Sequence, residues 1–131
     1  MASQAMFWVR LAPVFLSVLR IVAALLFMQH GAQKLFGLLG GHQMDLVSLM
    51  GLAGVLEFFG GLLLALGLFT RPVAFVLSGL MAFAYFMAHH PAGPWPILNH
   101  GELAALYSFT FLYLSASGGG PISLDHLRNA D

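Results

Sequence analysis

Two oppositely charged residues lie inside long apolar runs of this sequence, Arg20 in the first run and Glu57 in the second. Ionisable side chains at membrane depth are costly, so they face protein or water and often mark proton or substrate pathways. Arg20 lies about 14 Å from the start of its run at Leu11, and Glu57 about 18 Å from the end of its run at Phe69. These depths predict an Arg20–Glu57 ion pair, which either transfers protons or substrate or only orders the helices.

A second group of polar residues lies near the ends of the apolar runs and has the chemistry of a ligand site. Tyr85 and His89 fall on one helix face, where stacking and one hydrogen bond could hold a flat apolar ligand such as a quinone. We take Arg20, Glu57 and Glu102 as the catalytic candidates. The candidates for ligand binding are the polar residues His30, Gln33, Lys34, Tyr85, His89, Asn99 and His100.

Structural interpretations of the same residues stay open. Tyr85 and His89 can hydrogen-bond across helices without binding a ligand. Asn99, followed three residues later by Glu102, matches a capping box at the start of a helix. No histidine pair has a spacing diagnostic of a metal or haem site, so none is expected.

The elements that must position these residues are helices long enough to cross a bilayer. The sequence is 60% hydrophobic and 8% charged, whereas a soluble domain is about 25% charged. Apolar runs bounded by glycine, proline and polar clusters predict helices at residues 11–39, 47–69, 72–90 and 99–116. We therefore predict an all-α chain with one domain over residues 1–131, a four-transmembrane-helix bundle. A short helical turn is expected around residues 123–128, and the first run is too long for a cleaved signal peptide.

The few basic residues predict an orientation. With four spans, Arg10, Arg71 and Arg128 share one side, and the positive-inside rule places that side, with both termini, in the cytoplasm of a cell inner membrane. The ligand-site candidates then fall in the extracytoplasmic half. A polar cavity that is open on that side, or sealed there by the loop at residues 91–96 with Trp95, keeps them out of lipid.

Composition also bounds the partners. The formal net charge is zero and no basic run occurs, so nucleic-acid binding has no support. Cysteine is absent, which excludes a disulfide or a thiolate metal site. The small residues Gly54, Gly61 and Ala65 share a helix face with Glu57, which predicts that another helix approaches that face closely. Such faces would also allow a homodimer.

Three segments resemble the DoxX family of small four-helix membrane proteins. They are HGAQKLFG at residues 30–37, LEFFGGLLLALGLFTRPVA at 56–74 and HHPAGPWPILNHGELAALY at 89–107, and the resemblance covers roughly residues 19–127. It implies family positions at Arg20, at His30, Gly31, Gln33 and Lys34, at Glu57, and at Asn99, Gly101 and Glu102. His100 stands where the family often has glycine, which widens the polar cluster.

The family takes its name from a small subunit associated with a terminal quinol oxidase and with thiosulfate:quinone oxidoreductase. The resemblance therefore implies a component of a quinone-linked oxidoreductase system. Because the sequence has no cysteine, flavin or nucleotide motif, redox chemistry would need a bound quinone or a partner oxidoreductase subunit. The alternative is a non-catalytic membrane protein, either a scaffold for soluble enzymes or a small-molecule or proton-coupled transporter.

Overall fold

The computed structural model describes residues 2–128, and every regular element in that range is helical, with no strand. The predicted all-α class is confirmed. In chain order the helices are α1 (Ala2–Phe36), α2 (Leu49–Leu66), α3 (Thr70–Ala92), α4 (Pro96–Asn99), α5 (Glu102–Ser117) and α6 (Leu124–Leu127). The α6 helix is the short turn expected around residues 123–128.

The first helix is longer at its start than predicted. α1 begins at Ala2 instead of residue 11 and contains Pro13 in its interior, because residues 2–10 carry no glycine or proline to stop the helix. Its 35 residues correspond to about 52 Å, more than the roughly 30 Å of a hydrocarbon core. It ends at Phe36, before Gly37 in the left-handed conformation (φ +64°).

The other boundaries follow local caps. The Ser48 side chain accepts a hydrogen bond from Gly51 N–H and starts α2, and Gly67 ends α2 with φ +67°. The start of α3 at Thr70 follows Phe69, which also has positive φ. The second helix therefore ends at Leu66 and not at the predicted residue 69. Leu68 and Phe69 are apolar, so hydropathy alone does not mark this end.

The helices pack as two antiparallel pairs, α1 with α2 and α3 with α5. Aromatic rings join the pairs: the Phe27 ring of α1 lies 5.2 Å from Tyr107 and 4.9 Å from Phe111 of α5. Within the second pair, Ser78 Oγ donates to Ser108 O (2.7 Å) and Ser108 Oγ donates to Ser78 O (3.0 Å). These reciprocal bonds hold α3 and α5 together without exposing a hydroxyl group to lipid.

Large apolar side chains cover the outer faces of the helices, including Phe75 on α3 and Phe109 on α5. Within the described residues, α1, α2 and α3 are long and apolar enough to cross a membrane. α5 is shorter, at 16 residues. The chain is therefore a multi-pass membrane protein whose exposed apolar faces contact lipid.

The antiparallel order gives the molecule two ends. The cavity end carries the end of α1, the starts of α2 and α5, and the end of α3. The tail end carries the α2–α3 turn and residues 118–128, which we call the C-terminal segment.

Candidate functional site

A cavity of about 480 Å³ opens at the cavity end between α1, α2, α3 and α5. Most of its wall is apolar, with Phe27 from α1, Leu56 from α2 and Met81 from α3. The ionisable side chains that line it are Lys34, Glu57, His30, His89, His100 and Tyr107. We call it the ion-pair cavity, after the contact between Lys34 and Glu57.

Lys34, which is partly buried, and the buried Glu57 form an ion pair on the cavity wall. Lys34 Nζ donates to both Glu57 carboxylate oxygens, at 2.5 and 2.6 Å, and the two side chains are only 19% and 6% exposed. The prediction that Glu57 faces protein is thus confirmed. Because water reaches these two side chains only slightly, each charge is stabilised mainly by the other. Removing either partner would leave an uncompensated buried charge.

Two glycines let α1 and α2 approach closely enough for this pair. A Cβ atom on Gly54 would lie 2.8 Å from Lys34 Cβ, and a Cβ on Gly31 would lie 2.8 Å from Phe58 Cα. Any larger residue would push the helices apart. The predicted close approach at the Glu57 face is therefore confirmed at Gly54, with α1 as the neighbouring helix.

The predicted Arg20–Glu57 pair is wrong. The Arg20 guanidinium is fully buried and donates to the carbonyl oxygens of Gly119 (Nη1, 2.9 Å) and Ile122 (Nη2, 2.6 Å) at the tail end. Lys34, which holds Glu57, lies 14 residues further along α1, or about 21 Å. The depth count failed because α1 begins at Ala2, nine residues before the start at Leu11 that the count assumed.

Two of the four helices around the cavity, α2 and α3, contain a π-helical segment. Residues Leu56–Gly60 of α2 carry Glu57, and Tyr85–His89 of α3 carry His89. A π-helical turn inserts an extra residue, which rotates the following side chains, and such turns are frequent at functional sites. Glu57 and His89, one from each segment, both line the ion-pair cavity.

Asn99 organises the loop between α3 and α5. Its buried side chain donates to Gly93 O (2.7 Å) and Tyr85 Oη (3.3 Å) and accepts from Gly101 N–H (2.8 Å). His89 Nδ1 donates to the Asn99 carbonyl oxygen at 3.1 Å. These bonds fix His89 at the cavity wall, whereas Tyr85 and Asn99 themselves do not line the cavity.

The predicted capping box is wrong. Gly101 is the N-cap of α5, so Asn99 closes α4 and Glu102 is the first residue of α5. The Glu102 side chain is exposed and lies outside the cavity wall. The reason is His100, whose positive φ of 59° separates Asn99 from the helix that it was expected to cap.

The structure therefore divides the candidate residues into those that line the ion-pair cavity and those that do not. Gln33 lies outside the cavity wall, and its Nε2 donates to Leu39 O at 3.1 Å, a bond that holds the loop after α1. Five candidates meet around one cavity, namely His30, Lys34, Glu57, His89 and His100. The other five, Arg20, Gln33, Tyr85, Asn99 and Glu102, hold helices and loops or face outward. Among the described residues, no three histidine or acidic side chains group as a metal site.

The tail end holds a second buried polar cluster that sequence reasoning missed. Asp125 accepts hydrogen bonds from the N–H groups of Phe69 (2.8 Å) and Thr70 (2.7 Å), so it caps α3 from 55 residues away. Ser17 Oγ donates to Gly119 O at 3.2 Å. One signal was present: Phe69 has no side-chain acceptor for the first N–H groups of α3, so the acceptor had to come from elsewhere.

The environment of Asp125 favours its charged form. Burial alone would raise the pKa of its carboxyl group, but hydrogen bonds from Thr70 and Phe69 and the positive charge of Arg128 outweigh burial and lower the pKa. Asp125 is therefore an ionised anchor of the C-terminal segment.

Comparisons with known proteins identify the family of this chain. The profile of the DoxX family matches residues 15–90, which include α2 and most of α1 and α3. An uncharacterized protein of Haemophilus influenzae is 47% identical over 122 residues, which cover 87% of this chain and 90% of that protein. No solved structure matches the chain.

Proposed function

The chain belongs to the DoxX family, and on that premise we propose that it is the quinone-binding component of a membrane oxidoreductase system. The quinone headgroup occupies the ion-pair cavity, and a partner subunit supplies the electrons. The observation that carries the proposal is the partly buried Lys34–Glu57 pair on the wall of an otherwise mostly apolar cavity. Such a wall suits a ligand that is flat and apolar but has polar edges.

The residues present fit a quinone headgroup. The cavity of about 480 Å³ lies within the usual size range for small-molecule sites, roughly 300–1,000 Å³. The Phe27 and Leu56 side chains offer apolar contact to a ring. Lys34, His30 and His100 offer N–H donors to its carbonyl oxygens.

The polar residues would divide the work of binding and proton transfer. When bound, the quinone would supply the redox chemistry: two electrons from the partner subunit and two protons would convert it to a quinol. Lys34 would place a positive charge near one carbonyl oxygen, and Glu57 would hold Lys34 in that position. His30 and His100, which are exposed and line the cavity, would pass protons from the aqueous side, since an imidazole ring has one nitrogen that donates a proton and one that accepts it.

The topology supports placing the cavity on the extracytoplasmic side of an inner membrane, with α5 as the fourth span. α5 runs antiparallel to α3 and is bonded to it by the Ser78 and Ser108 side chains. At the tail end, Arg71 donates to Ala116 O, and the Arg128 guanidinium stacks 5.1 Å from the Phe69 ring centroid. Basic residues at this end favour a cytoplasmic location for it and for both termini.

The test is native mass spectrometry of the protein purified in mild detergent, with extraction and identification of copurifying quinone. We compare the wild type with the double variant Lys34→Met, Glu57→Gln, which removes both charges and so leaves no unpaired one. The expected result is one quinone per wild-type chain and a loss of about tenfold in the double variant. The replacement of Arg10, an exposed cation on α1, by Gln is the control and should retain quinone.

Equal quinone content in the wild type and the double variant, or none in either, would refute the proposal. An empty wild type that carries a pH-dependent solute flux in proteoliposomes would instead identify a proton-coupled transporter. An empty wild type that retains soluble enzymes in pull-downs would identify a scaffold.

A further inference from the structure

A second cavity lies between α2 and α3, and its wall is almost entirely apolar. It has a volume of about 340 Å³. Its walls are formed by aliphatic and aromatic side chains, one glycine and one proline, namely Val55, Leu56, Phe59, Gly60, Leu63, Pro72, Val73, Val76 and Leu77. We call it the apolar groove.

The groove adjoins the ion-pair cavity at Leu56. Leu56 lines both, and it immediately precedes Glu57 in the π-helical segment of α2. Gly60 shapes the groove floor, because a Cβ atom there would lie 2.9 Å from Leu77 Cδ2. From Leu56 the groove follows α2 to Leu63, seven residues toward the tail end, or about 10 Å.

The geometry points to one occupant for the groove: the isoprenoid tail of the ligand whose headgroup lies in the ion-pair cavity. This inference rests on the proposed function and adds the substrate class, a prenylated quinone rather than a small soluble one. The direction of the groove relative to the ion-pair cavity matches the orientation of a lipid in one leaflet, whose headgroup lies at the interface and whose tail points to the bilayer centre. Lys34 lies near the end of α1, where an interface would be, and the groove leads from there toward the bilayer centre.

The ligand would reach both sites through the lipid. The groove opens outward, since Val76 on its wall is 54% exposed. The rim of the ion-pair cavity also carries exposed apolar side chains, Leu52 on α2 and Phe83 on α3. Exposed apolar rims on both sites let an amphipathic ligand pass sideways from the bilayer without entering water.

The test compares two probes in detergent solution, a benzoquinone without a tail and the same ring bearing two isoprene units. The variant Val76→Trp fills the groove and leaves the ion-pair cavity intact. The control is Val22→Trp, the same change at an exposed position of α1 that lines neither cavity. Equilibrium binding of each probe to each protein gives a tail preference, the ratio of the two Kd values.

We expect the wild type and Val22→Trp to prefer the prenylated probe by about fivefold, because added dispersion contacts are individually weak. In Val76→Trp that ratio should fall to about one while the Kd of the tail-free probe stays unchanged. A wild-type ratio of one, or a ratio that survives in Val76→Trp, would overturn the groove assignment and leave headgroup binding standing. If neither probe binds the wild type, the proposed function and the groove assignment both fail.

Discussion

Breaking the Lys34–Glu57 pair from one side should destabilise the protein far more than removing the pair as a whole. Lys34→Gln leaves the Glu57 carboxylate, only 6% exposed, without its cation. Removing one partner of a buried pair costs about 3–5 kcal/mol, and the partial exposure of Lys34 favours the lower end of that range. The double variant Lys34→Gln, Glu57→Gln leaves two neutral amides and should lose only about 1 kcal/mol.

The assay is thermal unfolding in one detergent, followed by the intrinsic fluorescence of the tryptophans. At roughly 3 °C per kcal/mol, each single variant should melt about 10 °C below the wild type, and the double variant within a few degrees of it. Arg10→Gln, which removes an exposed cation from the same helix, should change the midpoint by less than about 2 °C.

The non-additivity is the informative quantity. A double-mutant cycle should give a coupling free energy of at least about 2 kcal/mol between Lys34 and Glu57. If the losses of the two single variants simply add in the double variant, the two side chains are not coupled and the ion pair does not shape the cavity. Single variants that match the wild type would refute the reasoning equally well.

Two further perturbations test the supports of the site. Gly31→Ala should destabilise the protein by about 1–3 kcal/mol, because the new Cβ would collide with the Phe58 backbone. The control is Gly79→Ala, which has open space around it and should be neutral or gain up to about 1 kcal/mol. Similar losses of stability for both variants in thermal unfolding would contradict the close approach of α1 and α2. Asp125→Asn should cost about 1–3 kcal/mol near neutral pH through weaker bonds to Phe69 and Thr70. Since folding lowers the pKa of Asp125, its contribution is complete above about pH 4 and is lost as the pH falls further. The melting curves of wild type and Asp125→Asn should therefore converge in acid, and a gap that stays constant with pH would contradict this account.

The helical bundle was predictable because the length and apolar composition of each run directly indicate a membrane-spanning helix. Long apolar runs gave the helices, and the burial of Glu57 followed from the cost of a charge in lipid. The helix ends were less predictable, since apolar residues such as Phe69 continue a hydropathy run after the hydrogen-bonded helix has stopped.

The pairing of the charges could not be read from the sequence. Arg20 donates hydrogen bonds to the backbone carbonyl groups of Gly119 and Ile122. Every residue has such a carbonyl group, so the residue types in the sequence do not predict this contact. The true partner of Glu57 depends on the close approach of α1 at Gly54 and on a π-helical segment. A regular period of 3.6 residues does not predict the extra residue of a π turn.

Photoaffinity labelling would test most directly whether the ion-pair cavity holds the quinone. The wild-type protein in liposomes is illuminated with an azido-quinone, digested and mapped by mass spectrometry, with and without excess unlabelled quinone. Adducts that the competitor removes should concentrate on cavity-wall residues such as Met50, Met81 and Met87. Competitor-sensitive adducts on outward-facing residues such as Phe109 of α5, with none on the cavity wall, would contradict the proposal.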